Sequence, residues 1–520
     1  MAPPLPRRAE RVPAAARAHE RRGARLARPE GRGDPMIALV VAALLGASAP
    51  ATPPPSSRTL QLAGVGTVHV RAPAGQPRRA VLLLSGEGGL ARGELALADA
   101  LAAQGALVLA IDTPGYLALR RAGRCVYPAG DLESLAQHVE KALGLEEYVR
   151  PMLVGYAQGA AAAWAALAQA PDGTFAGVVA LAPCPGKPLG VTLCAGAGPP
   201  PRRTPEGDLP GDQARPGAPF AIVAGADDRV CPAASAQEFG RARAALAVTV
   251  VAGAAHSLAP GDRWADAVSA EIARIEAHHA GPVGTAPPPA AKPGPDAGAQ
   301  VKDLPLVEVP AAKPGPRLAV LLTGDGGWVG LDKGVGRALA DAGVGVVGLD
   351  SLRYFWRRRT PGETAADVAR IFAHYRAAWG RSELLLLGYS RGADIVPFVA
   401  TRLPADQRAA LKLVAMLGPG TSAEFEVHVV DLFSTPRRST ATSTEAAVRA
   451  SAGATRFLCV QGADEQDSLC PHLADLPWVD RVVLPGGHHF DRDYPSLGRI
   501  VSEAANAPAG VPGDGGSRSP

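Results

Sequence analysis

Residues 384–394 read LLLLGYSRGAD, and residues 152–160 read MLVGYAQGA. Each is an apolar run, then Gly-Tyr-x-x-Gly, then small residues suited to starting a helix. Apolar runs without polar alternation, closed by a glycine turn and a helix, read as buried strands of a parallel sheet. In the later copy the pattern is Gly-x-Ser-x-Gly, the nucleophile elbow, in which a strained turn presents Ser390 at the carboxyl edge of the sheet. The earlier copy carries Ala157 at that position and has no hydroxyl to react.

Working outward, the two stretches belong to an internal repeat. VLLLSGEGGL (81–90) matches VLLTGDGGWV (320–329), and ALVLAIDTPGYL (106–117) matches VGVVGLDSLRYF (344–355). After the elbows, IVAGADDRVCP (222–232) matches CVQGADEQDSLCP (459–471), and GAAHSL (253–258) matches GGHHFD (486–491). Helical periodicity fills the gaps: Val368, Ile371, Phe372, Tyr375 and Trp379 share one face, as do Leu132, Leu135, Val139 and Leu143. Strands alternating with such helices predict two α/β sandwiches with mainly parallel sheets, over 58–276 and 304–506. The Pro/Ala/Gly-rich stretch 277–303 reads as a linker and 507–520 as a disordered tail.

The chain has 520 residues and a formal net charge of +4, which invites a nucleic-acid reading. Residues 1–35, however, hold nine arginines against Glu10, Glu20, Glu30 and Asp34, and the rest of the chain nets −1. The basic balance belongs to this leader and not to a binding face. We read 1–35 as a disordered, mis-called extension, with translation starting at Met36. Residues 36–51, MIALVVAALLGASAPA, read as a secretory signal too short to span a bilayer. The six cysteines fit an oxidising compartment. Cys184/Cys194 and Cys459/Cys470 are close enough for local bridges, leaving Cys125/Cys231, although connectivity is open. No spacing supports a metal site, and no cofactor is expected.

A serine nucleophile needs a base and an orienting acid, in the chain order Ser…Asp…His. The acid lies in GADEQDSLCP, where Asp464, Glu465 and Asp467 compete. Anchoring the repeats on their shared Cys-Pro favours Asp467, and anchoring on Gly225 and Gly462 favours Glu465. The base is His488, opposite His256, with His489 as the alternative. The oxyanion donors expected are the amide of Arg391 and those of the glycine-rich loop, Asp325 and Gly326. Asp325 and Asp394 are further carboxylates expected near the reacting serine. Trp328 and Tyr354, the latter within RYFWRRR (353–359), are further expected contacts, and that arginine-rich stretch reads as a lipid-headgroup or phosphate contact, or a solvated loop.

LPLVEVPA (304–311), LLTGDGGW, RTPGETAADV, LLGYSRGADIVPF, LCVQGADEQDSLCP and PGGHHFDRDY together resemble the AcvB/VirJ virulence-protein family of exported bacterial proteins. ALAPCPG and Cys194 extend the resemblance to the amino-terminal half of its two-unit members. The resemblance implies two tandem α/β-hydrolase-like domains and a periplasmic serine hydrolase cleaving aminoacyl esters of phosphatidylglycerol, such as the lysyl or alanyl forms. It gives Ser390, Asp467 and His488 the triad roles and implies links to type IV secretion substrates. With an aminoacyl substrate so implied, Asp325 or Asp394 could hold its ammonium. The alternatives are a non-catalytic periplasmic adaptor for such substrates, or a generic periplasmic esterase. GYAQG in the first unit departs from the pattern, so the first unit is expected to serve in binding, packing or positioning and not to react.

Overall fold

The structure is a computed structural model and describes residues 56–62, 64–121, 125–212, 216–258, 263–280, 301–427 and 441–507. The leader, the signal segment and the tail beyond Ala507 lie outside these residues. The apolar runs form strands buried on both faces: every residue of Leu318–Leu322 and Leu384–Leu387 is fully buried. In the first half the strands are β1 (Ser56–Leu62), β2 (Gly66–Ala72), β3 (Arg79–Leu84), β4 (Ala106–Ile111), β5 (Pro151–Tyr156), β6 (Gly177–Leu181), β7 (Phe220–Gly225) and β8 (Ala247–Val251). In the second they are β9 (Leu306–Val309), β10 (Arg317–Leu322), β11 (Gly345–Leu349), β12 (Glu383–Tyr389), β13 (Leu411–Leu417), the short ribbon β14 (Ser422–Ala423) with β15 (Thr442–Ser443), then β16 (Phe457–Gly462) and β17 (Val479–Leu484).

The first sheet has eight strands in the order β1-β2-β4-β3-β5-β6-β7-β8, and the second has seven in the order β9-β11-β10-β12-β13-β16-β17. Without β1 the two orders correspond strand for strand. Antiparallel pairing is confined to one edge of each sheet, because β2 in the first and β9 in the second run against the other strands. Each half is thus an α/β-hydrolase-type sandwich with helices on both faces. The helices follow the sequence signals. Thr360 and Glu363 of RTPGE form a capping box at the start of helix Pro361–Trp379, which buries Val368, Ile371, Phe372 and Tyr375 and stops at Gly380 in the left-handed region, φ 63°.

Helix Trp264–Ala280 runs into the expected linker, and Val301 and Leu304 are already buried in the second core. The stretch between them, 281–300, lies outside the described residues. No described helix is long and apolar enough to cross a membrane. All six cysteines are paired, as Cys125–Cys194, Cys184–Cys231 and Cys459–Cys470. The local Cys459–Cys470 bridge is as expected, whereas Cys184 reaches Cys231 and not Cys194. The reason is topological: Cys184 follows β6 and Cys231 follows β7, and these two strands are neighbours.

RYFWRRR joins the two halves through its buried aromatics, while Arg353, Arg357 and Arg358 stay exposed. Trp356 is buried, donates its Nε1 hydrogen to the Leu145 carbonyl at 2.9 Å, and meets the Tyr148 ring at 5.2 Å. Lys141 lies over the Trp356 ring at 4.8 Å and donates to its carbonyl. Arg357 donates to the Glu146 carbonyl at 2.8 Å. Elsewhere on the same boundary Arg492 donates to the Ala197 carbonyl at 2.7 Å, and Lys333 to that of Asp172 at 3.1 Å.

Candidate active site

Ser390 follows β12 with φ 52° and ψ −120° and opens helix Arg391–Ala400. A non-glycine residue held at positive φ costs about 1–3 kcal/mol, and such strain gathers at functional sites. The flanking glycines make the turn possible. A Cβ at Gly388 would collide with the backbone of Gly392, and one at Gly392 with that of Leu322. The Ser390 amide donates to the Leu417 carbonyl at 2.9 Å, which fixes the elbow at the carboxyl ends of β12 and β13.

His488 arrives at the same edge from the loop after β17. Its Nδ1 lies 2.5 Å from Glu465 Oε1, and Glu465 Oε2 accepts the Gly462 amide at 2.6 Å. With Nδ1 on the carboxylate, Nε2 is the nitrogen left to act as base. The Tyr389 ring stands 5.3 Å from the imidazole. Gly418, at φ +60°, leaves room for it, since a Cβ there would come within 3.0 Å of His488. The carboxylate paired with His488 is therefore Glu465, and not the expected Asp467, which is exposed. The Cys-Pro anchor misleads because Cys231 and Cys470 belong to different bridges and are not equivalent. The glycine anchor holds, since Asp228 occupies the corresponding place with Oδ2 2.8 Å from His256 Nδ1. His489 instead meets the Tyr389 hydroxyl at 2.9 Å through Nδ1, and burial, then its neighbour His488, lowers its pKa.

The Arg391 amide is the first of the helix, where N–H groups lack partners within the helix and point outward. The glycine-rich loop adjoins it, for a Cβ at Gly324 would stand 3.4 Å from Ser390 Cβ. The amides of Asp325 and Gly326 follow on this loop. The Asp325 carboxylate forms an ion pair with Arg391 Nε, and Arg391 also donates to the Glu424 and Glu426 carbonyls at 3.0 and 2.9 Å.

Two expected substrate contacts are structural instead. Trp328 is buried beneath the loop against Gly336 and Gly348, whose missing side chains make room for its indole. Tyr354 is buried and donates to Asp367 Oδ2 at 2.6 Å. Asp394, one turn after Ser390, accepts the Gly420 amide at 2.7 Å. Burial raises its pKa to about 8, so near neutrality it favours the uncharged form and makes a poor ammonium partner. The unfolded chain would lose this proton near the ordinary value of 3.8, so stability falls as pH rises from there toward 8. Asp394→Asn keeps the acceptor for Gly420. It should match the parent in thermal melts near pH 4, within the ordinary carboxylate range, and should melt higher above the raised pKa.

The first half keeps this site without its nucleophile. Ala157 holds the elbow at φ 49°, and its amide donates to Leu181 at 2.9 Å, as Ser390 does to Leu417. Glu87, the counterpart of Asp325, is hydrogen-bonded to Lys187 and to the Gln158 amide, which corresponds to that of Arg391. Burial opposes the charge on Glu87, but these bonds prevail and lower its pKa. Asp228, Cys231 and His256 lie close enough to hold a metal ion, yet Cys231 is oxidised in its bridge with Cys184.

No curated relative matches the chain. Among solved structures, the chain is similar to the esterase Est1E from Butyrivibrio proteoclasticus at 17% identity and a TM-score of 0.30, over 42% of this chain and 99% of that one. A dienelactone hydrolase from Anabaena variabilis matches at 16% identity and a TM-score of 0.30, over 43% of this chain and 98% of that one. A serine hydrolase without a lid from Xanthomonas campestris matches at 18% identity and a TM-score of 0.29, over 42% of this chain and 94% of that one. Residues 316–508, the half with Ser390, Glu465 and His488, match the family model described as bacterial virulence protein (VirJ).

Proposed function

We propose that the chain is a serine ester hydrolase acting through Ser390. The observation that carries this reading is Ser390 on a strained elbow at the sheet edge that also holds the His488–Glu465 couple. His488 Nε2 would take the Ser390 proton as Oγ attacks the ester carbonyl. The amides of Arg391 and of Asp325 or Gly326 would receive the oxyanion. Collapse breaks the ester C–O bond, and the leaving alcohol takes the proton back from His488. Water, deprotonated by the same histidine, then releases the acid from Ser390.

For substrate we propose the aminoacyl ester of phosphatidylglycerol at the periplasmic face of the inner membrane, with phosphatidylglycerol as the leaving alcohol. The resemblance of the second half to the AcvB/VirJ family supports this, together with the match over 316–508. The paired cysteines are in keeping with an oxidising compartment. Purified protein added to vesicles containing lysyl- or alanyl-phosphatidylglycerol should release the free amino acid. Hydrolysis of a soluble p-nitrophenyl ester but of neither lipid would leave only a generic esterase. Turnover of no ester would leave the adaptor for type IV secretion substrates.

A further inference from the structure

The side chain of Arg391 turns back over the site that its amide serves. Its Nε pairs with Asp325 Oδ1, and its Nη1 donates to the Glu424 and Glu426 carbonyls at 3.0 and 2.9 Å. It is 12% exposed, against 63% for the side chain of Asp325. A guanidinium presents its N–H groups in a fixed fork, so it can hold a carboxylate and two carbonyls at once. The carbonyls are themselves on a fixed shelf: the Arg359 amide donates to the Phe425 carbonyl at 2.9 Å, and the Val427 amide to that of Phe355 at 2.8 Å. Arg391 therefore ties this shelf to the glycine-rich loop, across the start of its own helix. The first half has no such tie. Gln158 follows Ala157 there, and the loop carboxylate Glu87 turns to Lys187 and to the Gln158 amide. In the half without a nucleophile, a carboxylate thus bonds the amide that would receive an oxyanion.

We propose that the Arg391 guanidinium is a positioning group for the oxyanion hole: it draws the Asp325 carboxylate onto itself and so keeps the amides beside Ser390 open to the substrate's oxyanion. The inference rests on the reading of Ser390 as an ester-hydrolysing nucleophile. A carboxylate is a strong acceptor of backbone N–H bonds. Seated on these amides, it would compete with the tetrahedral oxyanion and repel its charge. Paired with the guanidinium, Asp325 does neither. The same ion pair joins the loop that carries the second donor to the residue that carries the first. Donors held in place in this way need no reorganisation as charge develops on the substrate.

The test is a double-mutant cycle on the full chain, read by steady-state kinetics on a soluble p-nitrophenyl ester and by thermal melts. Arg391→Gln keeps the backbone amide and copies the first half, where Gln158 opens the matching helix, so it should fold. It should lower kcat by on the order of 10²-fold, the loss when one oxyanion donor is removed, with little change in KM. Removing the competing carboxylate as well, in Arg391→Gln/Asp325→Ala, should restore most of the lost kcat, a coupling that a merely structural role would not produce. Arg391→Lys keeps a cation beside Asp325 without the fork and should fall between Arg391→Gln and the parent. With and without Asp325→Ala, it carries the same comparison if the glutamine variant melts early. A double variant as slow as Arg391→Gln would overturn the inference, as would a parent-like kcat in Arg391→Gln or a change confined to KM. Parent protein that hydrolyses no ester and takes no serine-directed phosphonate at Ser390 would overturn the hydrolase reading itself, and this inference with it.

Discussion

Ser390→Ala should lower ester turnover by on the order of 10⁴–10⁶, leaving only what the oxyanion donors and substrate binding supply. The fold should survive, because the molecule already contains the control. Ala157 occupies the matching elbow at φ 49° against 52° for Ser390, with the same amide bond to the next strand. Alanine keeps the Cβ that the turn accommodates and removes only the oxygen that attacks. A serine-directed phosphonate should label the wild type once, on Ser390, and the variant not at all. Thermal melts of the two should nearly coincide. A Ser390→Ala protein that turns over the lipid ester at the parent rate would remove the acyl-enzyme route and require another site.

The internal repeat makes much of this molecule legible in its sequence. Each apolar run is a strand because its residues are apolar on both faces, and the paired motifs carry both sheets in one strand order. Ser390 and His488 are readable because a strained turn and a histidine loop leave local signatures. The acid is not, since two anchors disagree and only the bridges show that Cys231 and Cys470 are not equivalent. RYFWRRR is illegible for a different reason. Its partners Lys141, Leu145 and Tyr148 lie more than two hundred residues away, and no local pattern announces such a contact. Trp328 sits in a glycine-rich loop that looks like a substrate contact, but Gly336 and Gly348 open the space that draws it into the core.

Glu465→Gln should cost about 10³–10⁴ in kcat, by analogy with the loss when a triad carboxylate becomes an amide. The carboxylate on His488 Nδ1 does two things: it holds the ring so that Nε2 is the unprotonated nitrogen, and it stabilises the imidazolium that forms as Ser390 attacks. An amide can present its NH₂ to Nδ1 and so favour the wrong tautomer, and it carries no charge to offset the imidazolium. The Gly462 amide, which now donates to Oε2, could still bond the amide oxygen, so the loop should keep its shape. Asp467→Asn is the matched comparison. Asp467 is exposed, and a surface change of this kind should leave turnover within about twofold of the parent. Glu465→Asp should fall between them, because the first half already uses the shorter acid with its own histidine, Asp228 with His256 at 2.8 Å. Steady-state kinetics on a soluble ester would rank the three variants. If Asp467→Asn lost as much activity as Glu465→Gln, the acid would have to be reassigned and the loop after β16 would have to rearrange when substrate binds.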